Sequence, residues 1–159
     1  MRIRTAERKD KEILLDLIKK LAAHERKKSD QIKMDIEKIE KHGFDNNYFQ
    51  TLIAEYNDVP VAYAIYYFTY SGSLGAPVLY LEDLFVEENY RRKGIGKALL
   101  ATLAELATKN ECCRMDWRAY SWNEGAVQFY KSLGAELKSD LLLFRLANDG
   151  LVKLAQDKT

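Results

Sequence analysis

The chain predicts an α/β protein of the α+β kind: a mixed, mostly antiparallel central sheet flanked by helices, in the order β-α-α-β-β-β-α-β-α-β. Three observations predict it. Apolar residues recur at helical spacing in four segments. Runs of β-branched and aromatic residues, of strand length, alternate with them. At 159 residues the chain is long enough to bury roughly two thirds of its unfolded surface, which suits a single domain over residues 1–159.

In chain order, Ile3 to Ala6 reads as a first strand. Asp10 to His24 follows as a helix with Ile13, Leu14, Leu17, Ile18 and Leu21 on one stripe, and Asp30 to Lys41 as a second with Ile32, Ile36 and Ile39. Gly43 reads as the stop of that second helix. Phe49 to Tyr56 and Val61 to Tyr70 read as a hairpin joined through Asn57-Asp58-Val59-Pro60. A loop, Ser71-Gly72-Ser73-Leu74-Gly75-Ala76-Pro77, precedes a strand from Val78 to Val86. The next helix carries Ile95, Ala98, Leu99, Thr102, Leu103 and Leu106 on one face. A strand from Arg114 to Tyr120, a helix from Asn123 to Ser132, a Gly134 turn and a last strand from Leu141 to Leu146 complete the order. No repeat, low-complexity segment or linker marks a domain boundary.

Composition narrows the function classes. The 47% apolar and 31% charged content is that of a soluble globular protein, and no tract is long enough to span a bilayer. Met1-Arg2-Ile3-Arg4 starts a strand rather than a secretory signal, so a cytoplasmic protein is expected. A formal net charge of +1 gives no global field for nucleic acid. The run Glu25-Arg26-Lys27-Lys28 reads as a solvated helix end. Cys112 and Cys113 are adjacent, which suits neither a disulfide framework nor a zinc site, and they read as one buried and one half-exposed thiol. His24 and His42 have no companion cluster, so no metal site is expected.

The most informative segment is Tyr90-Arg91-Arg92-Lys93-Gly94-Ile95-Gly96-Lys97, a basic, glycine-punctuated turn between a strand and an amphipathic helix. The first N–H groups of a helix lack intrahelical partners, and the aligned peptide dipoles make that end positive, so a diphosphate can dock there. Gly94 and Gly96 let the backbone approach phosphate oxygens, and Arg91, Arg92, Lys93 and Lys97 add charge. The plainer reading is a helix start with solvated basic residues. A Walker loop fails here because Gly96-Lys97 is followed by Ala98 and position 91 is not glycine. A dinucleotide fingerprint fails because the third glycine is replaced by Leu99.

Arg91-Arg92-Lys93-Gly94-Ile95-Gly96 at this junction resembles the acyl-CoA signature of the GNAT acetyltransferase superfamily. The likeness extends over nearly the whole chain. Tyr66-Tyr67-Phe68-Thr69-Tyr70, Tyr80-Leu81-Glu82-Asp83, Trp122-Asn123-Glu124, Phe129-Tyr130-Lys131 and Gly134-Ala135 look like the diamine (spermidine/spermine, thialysine) N-acetyltransferase family. The resemblance implies the GNAT fold, acetyl-CoA lying as coenzyme A does in a splay between the fourth and fifth strands, and a homodimer.

Acetylating an amine requires moving protons. A primary amine with a pKa near ~10.4 is neutral only about once in a thousand molecules at pH 7, a cost of roughly 4–5 kcal/mol before attack. The site therefore needs a proton acceptor, and a donor for the departing thiolate. Simple alternation puts Tyr80, Glu82, Leu84 and Val86 on one strand face and Leu81, Asp83 and Phe85 on the other, so an unbulged strand cannot aim both carboxylates into one pocket. The resemblance implies that Glu82 accepts the proton, Asp83 binds the cationic substrate, Asn123 hydrogen-bonds the cofactor and Tyr130 donates to the thiolate sulfur. Asn123 and Tyr130 are seven residues apart on the expected helix, hence on one face. Backbone amides of Leu84, Phe85 and Val86 are candidates to polarise the acetyl carbonyl, an oxyanion contribution that a β-bulge would expose. Family matches put His24, Glu25, Trp122 and Glu124 near the amine.

The chain departs from the polyamine enzymes at Ser71-Gly72-Ser73, where they carry Asp-Pro-Trp, and around Asp140-Leu141-Leu142, where their acidic stretch is missing. A shorter amine is expected: a diamine, a lysine analogue or a small amino compound. The alternatives are acetylation of protein N-termini or lysines, and a non-catalytic acyl-CoA-binding module. The expected enzyme works by direct transfer in a ternary complex, since no motif places a cysteine to carry the acetyl group.

Overall fold

Strand pairing begins where the alternating pattern is clearest. In a computed structural model that describes residues 1–157, β1 (Arg2–Thr5), β2 (Gln50–Tyr56), β3 (Val59–Ser71), β4 (Ala76–Val86) and β5 (Arg114–Trp117) form one sheet in the order β1-β2-β3-β4-β5. The first three pairings are antiparallel and β4–β5 is parallel. These strands belong to the first of two compact units, residues 1–118; the second comprises residues 119–157.

The hairpin between β2 and β3 turns through Asn57 and Asp58, both with positive φ (52° and 61°), which short polar side chains tolerate. The strand therefore starts at Val59, earlier than expected, and Pro60 sits at a register shift where its missing N–H is harmless.

Helix α1 (Lys11–His24) follows a short 3-10 turn at Arg8–Asp10 and buries Leu14, Leu17, Ile18 and Leu21. They pack with Tyr63, Ile65 and Phe85 of the sheet and with Ile39 from the segment that follows α1. Each large apolar side chain so buried is worth about 1.5–3 kcal/mol. Asp10 is buried at the start of α1 and binds Arg4 through both carboxylate oxygens (2.7 and 2.9 Å), while Arg4 also donates to Glu55 at 2.8 Å. This triad ties β1, α1 and β2 together.

The second helix departs from expectation. Asp30 to Lys41 is not continuous: Ser29–Gln31 makes a 3-10 turn, Ile32 is extended, and α2 (Ile36–Lys38) begins only where Asp35 accepts from the Lys38 N–H at 2.8 Å. It runs on into a wide π-helical stretch, Ile39–Asp45. Gly43 lies inside that stretch and is not its stop. A Cβ there would come within 2.9 Å of the Phe49 ring, so the glycine serves close packing.

Helix α3 (Ile95–Lys109) buries Ile95, Leu99, Leu100, Leu103 and Ala107 and packs across β2 to β5. The turn after it holds Cys112 half-buried and Cys113 exposed, so neither thiol is fully buried as one was expected to be; Cys113 N–H is committed to the Pro77 carbonyl.

The second unit contains α4 (Glu124–Ser132), ended by a left-handed Gly134 (φ 87°), and α5 (Asp149–Gln156). The expected last strand, Leu141 to Leu146, does not form. Its residues carry no regular structure, and Leu141, Leu142 and Phe144 are 72%, 78% and 88% exposed. Apolar and aromatic character makes a strand only where a neighbouring edge supplies hydrogen bonds, and no described strand pairs there. No helix among the described residues is long and apolar enough to cross a membrane.

Candidate active site

The site is built on a defect in β4. Ile65 lies opposite Asp83 and Tyr66 opposite Leu81, so Glu82 is an extra residue on the β4 side, a β-bulge. On β3, Tyr63, Ile65 and Tyr67 alternate onto one face, and residues directly opposite share a face, so Tyr80 and Asp83 point the same way as these. Glu82 joins them: its Oε2 accepts from the Tyr67 hydroxyl at 2.9 Å, while Asp83 Oδ2 accepts from the Tyr63 hydroxyl at 3.1 Å. The simple alternation is thereby corrected. Tyr80, Glu82, Asp83 and Phe85 share one face, and Leu81, Leu84 and Val86 the other.

The two carboxylates differ in setting. Glu82 is exposed, whereas Asp83 is largely enclosed, and burial pushes its carboxyl up from an ordinary 3.8 to about 6, with the Tyr63 hydrogen bond opposing and the charges of Glu82 and Glu25 adding to the rise. Burial, Asp83 and Glu25 together push the Tyr63 phenol well above its ordinary value. Glu25, just past the end of α1, thus reaches this cluster electrostatically and is held by Lys27 at 2.6 Å. His24 is the exposed last residue of α1. Asp83 thus feels two further carboxylates, Glu82 and Glu25, an acidic setting that favours a cation.

At the same bulge the sheet opens. Parallel pairing of β4 with β5 ends at Leu81–Trp117, so from Glu82 to Val86 no described strand covers that edge of β4. Of the three expected donors on this stretch, the N–H groups of Leu84 and Val86 face the open edge, whereas that of Phe85, opposite Tyr63, faces β3, because N–H directions alternate along a strand; Phe85 itself is buried.

Beyond Val86 the chain turns toward α3. Arg91 Nε donates to the Val86 carbonyl at 3.0 Å and its guanidinium lies 5.9 Å from the Phe85 ring centre, bracing the turn. Arg92 (φ 62°) and Gly94 (φ 80°) are both left-handed, the second as the residue before α3. Gly94 provides no side-chain cap, and the first helical bond is Ala98 N–H to the Gly94 carbonyl. The N–H groups of Ile95, Gly96 and Lys97 therefore have no partner within the helix. No acidic residue occupies the first turn, and Arg91, Arg92, Lys93 and Lys97 make no ion pair among the described residues. Lys93 rests over the Tyr56 and Tyr90 rings (5.1 and 5.0 Å). This donor set fits a diphosphate.

In the second unit, Asn123 precedes α4 as its cap, its Oδ1 accepting from Ala126 N–H at 3.2 Å, which leaves its amide N–H groups to donate elsewhere. Glu124 opens the helix and is exposed, Trp122 stacks on Tyr120 at 5.5 Å, and burial pushes the Tyr130 phenol up, keeping it protonated. Four residues not assigned a role from the sequence also stand at the first unit's site: Tyr63, Tyr67, Tyr80 and Arg118. The alternation of Tyr63, Ile65 and Tyr67 is the signal that marks the first two.

Residues 15–135 match the acetyltransferase (GNAT) family, and the chain belongs to it. It is 38% identical over 142 residues to thialysine N-epsilon-acetyltransferase of Sus scrofa, covering 84% of this chain and 82% of that protein. It is 37% identical over 167 residues to spermidine/spermine N(1)-acetyltransferase-like protein 1 of Homo sapiens, covering 98% of this chain and 24% of that protein. Among solved structures, an integron cassette protein from the mobile metagenome of V. cholerae superposes with a TM-score of 0.80 at 28% identity, covering 98% of this chain and 97% of that one. The protein is a GNAT N-acetyltransferase.

Proposed function

We propose that the chain transfers an acetyl group from acetyl-CoA to a primary amine of a small cationic substrate, by direct attack in a ternary complex. The observation that carries this reading is the bulge at Glu82, which brings Glu82 and Asp83 onto one face where β4 parts from β5. When bound, the cofactor supplies the acyl group as a thioester. The amides of Ile95, Gly96 and Lys97, with Arg92, Lys93 and Lys97, would hold its diphosphate, and the Asn123 amide would hold the arm.

The chain's own groups do the proton work. Glu25 and Asp83 draw the ammonium in, and Glu82, the more exposed carboxylate, takes its proton. The N–H groups of Leu84 and Val86, which face the open edge of β4, hold the carbonyl oxygen as charge develops on it. Tyr130, kept protonated by burial, holds the proton needed by the departing sulfur. The proposal includes Trp122, Glu124 and His24, which the family resemblance assigns to amine binding, and the homodimer that the same resemblance implies. Thiol release from acetyl-CoA across a panel of small amines, with an N-terminal peptide as competitor, tests the reading: amine-dependent release supports it, and binding of coenzyme A without turnover refutes it.

A further inference from the structure

Within electrostatic reach of Glu82 stands a cation, Arg118, that makes no ion pair among the described residues. Arg118 directly follows β5, and alternation places it on the same side as Asp116, whose register partner on β4 is Tyr80. Its Nε donates to the Tyr80 hydroxyl and its guanidinium lies 5.5 Å from the Tyr80 ring centre. Tyr80 stacks on Tyr67 at 5.2 Å, and Tyr67 donates to Glu82. An unbroken chain of contacts thus runs from Arg118 to the carboxylate assigned as proton acceptor, and Arg118 feels the Glu82 charge.

The carboxylate nearest in sequence, Asp116, is taken by Arg114 at 2.9 Å. Among the described residues Arg118 makes no ion pair, and its one hydrogen bond uses Nε. Both terminal amino groups remain, in the planar fork that matches a carboxylate. Tyr80 fixes the direction of that fork beside the acidic cluster, so the site presents opposite charges side by side.

We infer that Arg118 is a specificity-determining residue that binds a substrate carboxylate, so that the acceptor is an amino acid carrying a distal primary amine rather than a polyamine. The inference rests on the acetyltransferase reading above. The distal ammonium goes to Glu25, Glu82 and Asp83, and the α-carboxylate pairs with Arg118. A polyamine that puts a second ammonium at the same place meets a like charge. Attraction for one substrate and repulsion for the other act in the same direction.

Matched pairs test this, because lysine and cadaverine, or ornithine and putrescine, differ only by the carboxylate. The measurement is kcat/KM for thiol release from acetyl-CoA with the wild type, Arg118→Leu and Arg118→Lys. The wild type prefers the amino acid of each pair by about ten- to a hundredfold, the range of a charged hydrogen-bonded contact. Arg118→Leu collapses that ratio through loss with the amino acid, and Arg118→Lys, which keeps charge without the fork, retains part of it. Should Arg118→Leu fail to fold, the wild-type ratio and Arg118→Lys decide. An active enzyme that prefers the diamines, or a ratio unchanged in the variants, overturns this inference alone. A panel in which no amine releases thiol overturns the acetyltransferase reading with it.

Discussion

Replacing Asp83 with Asn isolates the cost of keeping a carboxylate ready for a cation inside the fold. Asp83 titrates near 6 in the folded chain against an ordinary 3.8, a difference of about two units, or about 3 kcal/mol. The sign follows from the raised value. The folded state binds the proton more tightly than the unfolded chain, so the contribution to stability is full below the unfolded pKa and is lost as pH rises through about 6. Asn keeps an oxygen for the Tyr63 hydroxyl and removes the charge. In urea denaturation without ligand, Asp83→Asn minus wild type should therefore grow by about 2.5 kcal/mol in favour of the variant between pH 4 and pH 8. Amine affinity should fall. A stability difference that stays flat across that range would refute the burial argument.

Further outcomes follow from other parts of the site and its frame. Tyr130→Phe should lower turnover far more than coenzyme A affinity, since proton donation belongs to the transition state; single-turnover kinetics with calorimetric binding check it. Gly94→Ala should cost about 1–2 kcal/mol in thermal or urea unfolding and weaken coenzyme A, because its φ of 80° strains any Cβ while the space around it is open, so the penalty is backbone conformation alone. Asp10→Ala should destabilise by about 1.5–3 kcal/mol at neutral pH by removing two charged hydrogen bonds and leaving Arg4 with Glu55 alone. The Arg4 hydrogen bond holds the Asp10 carboxyl below its ordinary range, so its contribution is present above that range and lost as pH falls through the folded value; denaturation midpoints for the variant and wild type should converge on acidification.

Periodicity made most of the fold legible. The stripe Leu14, Leu17, Ile18 and Leu21 and the stripe Ile95, Leu99 and Leu103 became buried helix faces because a 3.6-residue repeat has few other uses. Asp30 to Lys41 was not legible, since Ile32, Ile36 and Ile39 mimic that repeat while Asp35 caps a later start. Leu141 to Leu146 has strand character but no partner edge, a property of the neighbours and not of the segment. Helix α5 went unread because it is short and carries Gly150 in its first turn, where Asn148 and the Leu151/Leu154 spacing were the available signs. The helix start after Gly94 was visible in the glycines. The shared face of Glu82 and Asp83 was not, because one inserted residue reverses the alternation beyond it and no residue type announces a bulge.

That shared face is the central claim, and the kcat/KM of Glu82→Gln beside the wild type tests it most directly, using the best amine of the panel at saturating acetyl-CoA. The account predicts a loss of about a hundred- to ten-thousandfold at neutral pH, the range of a general base, with coenzyme A affinity retained. Turnover within a few fold of the wild type would contradict it, because the proton would then be leaving by a route that does not use the bulged carboxylate.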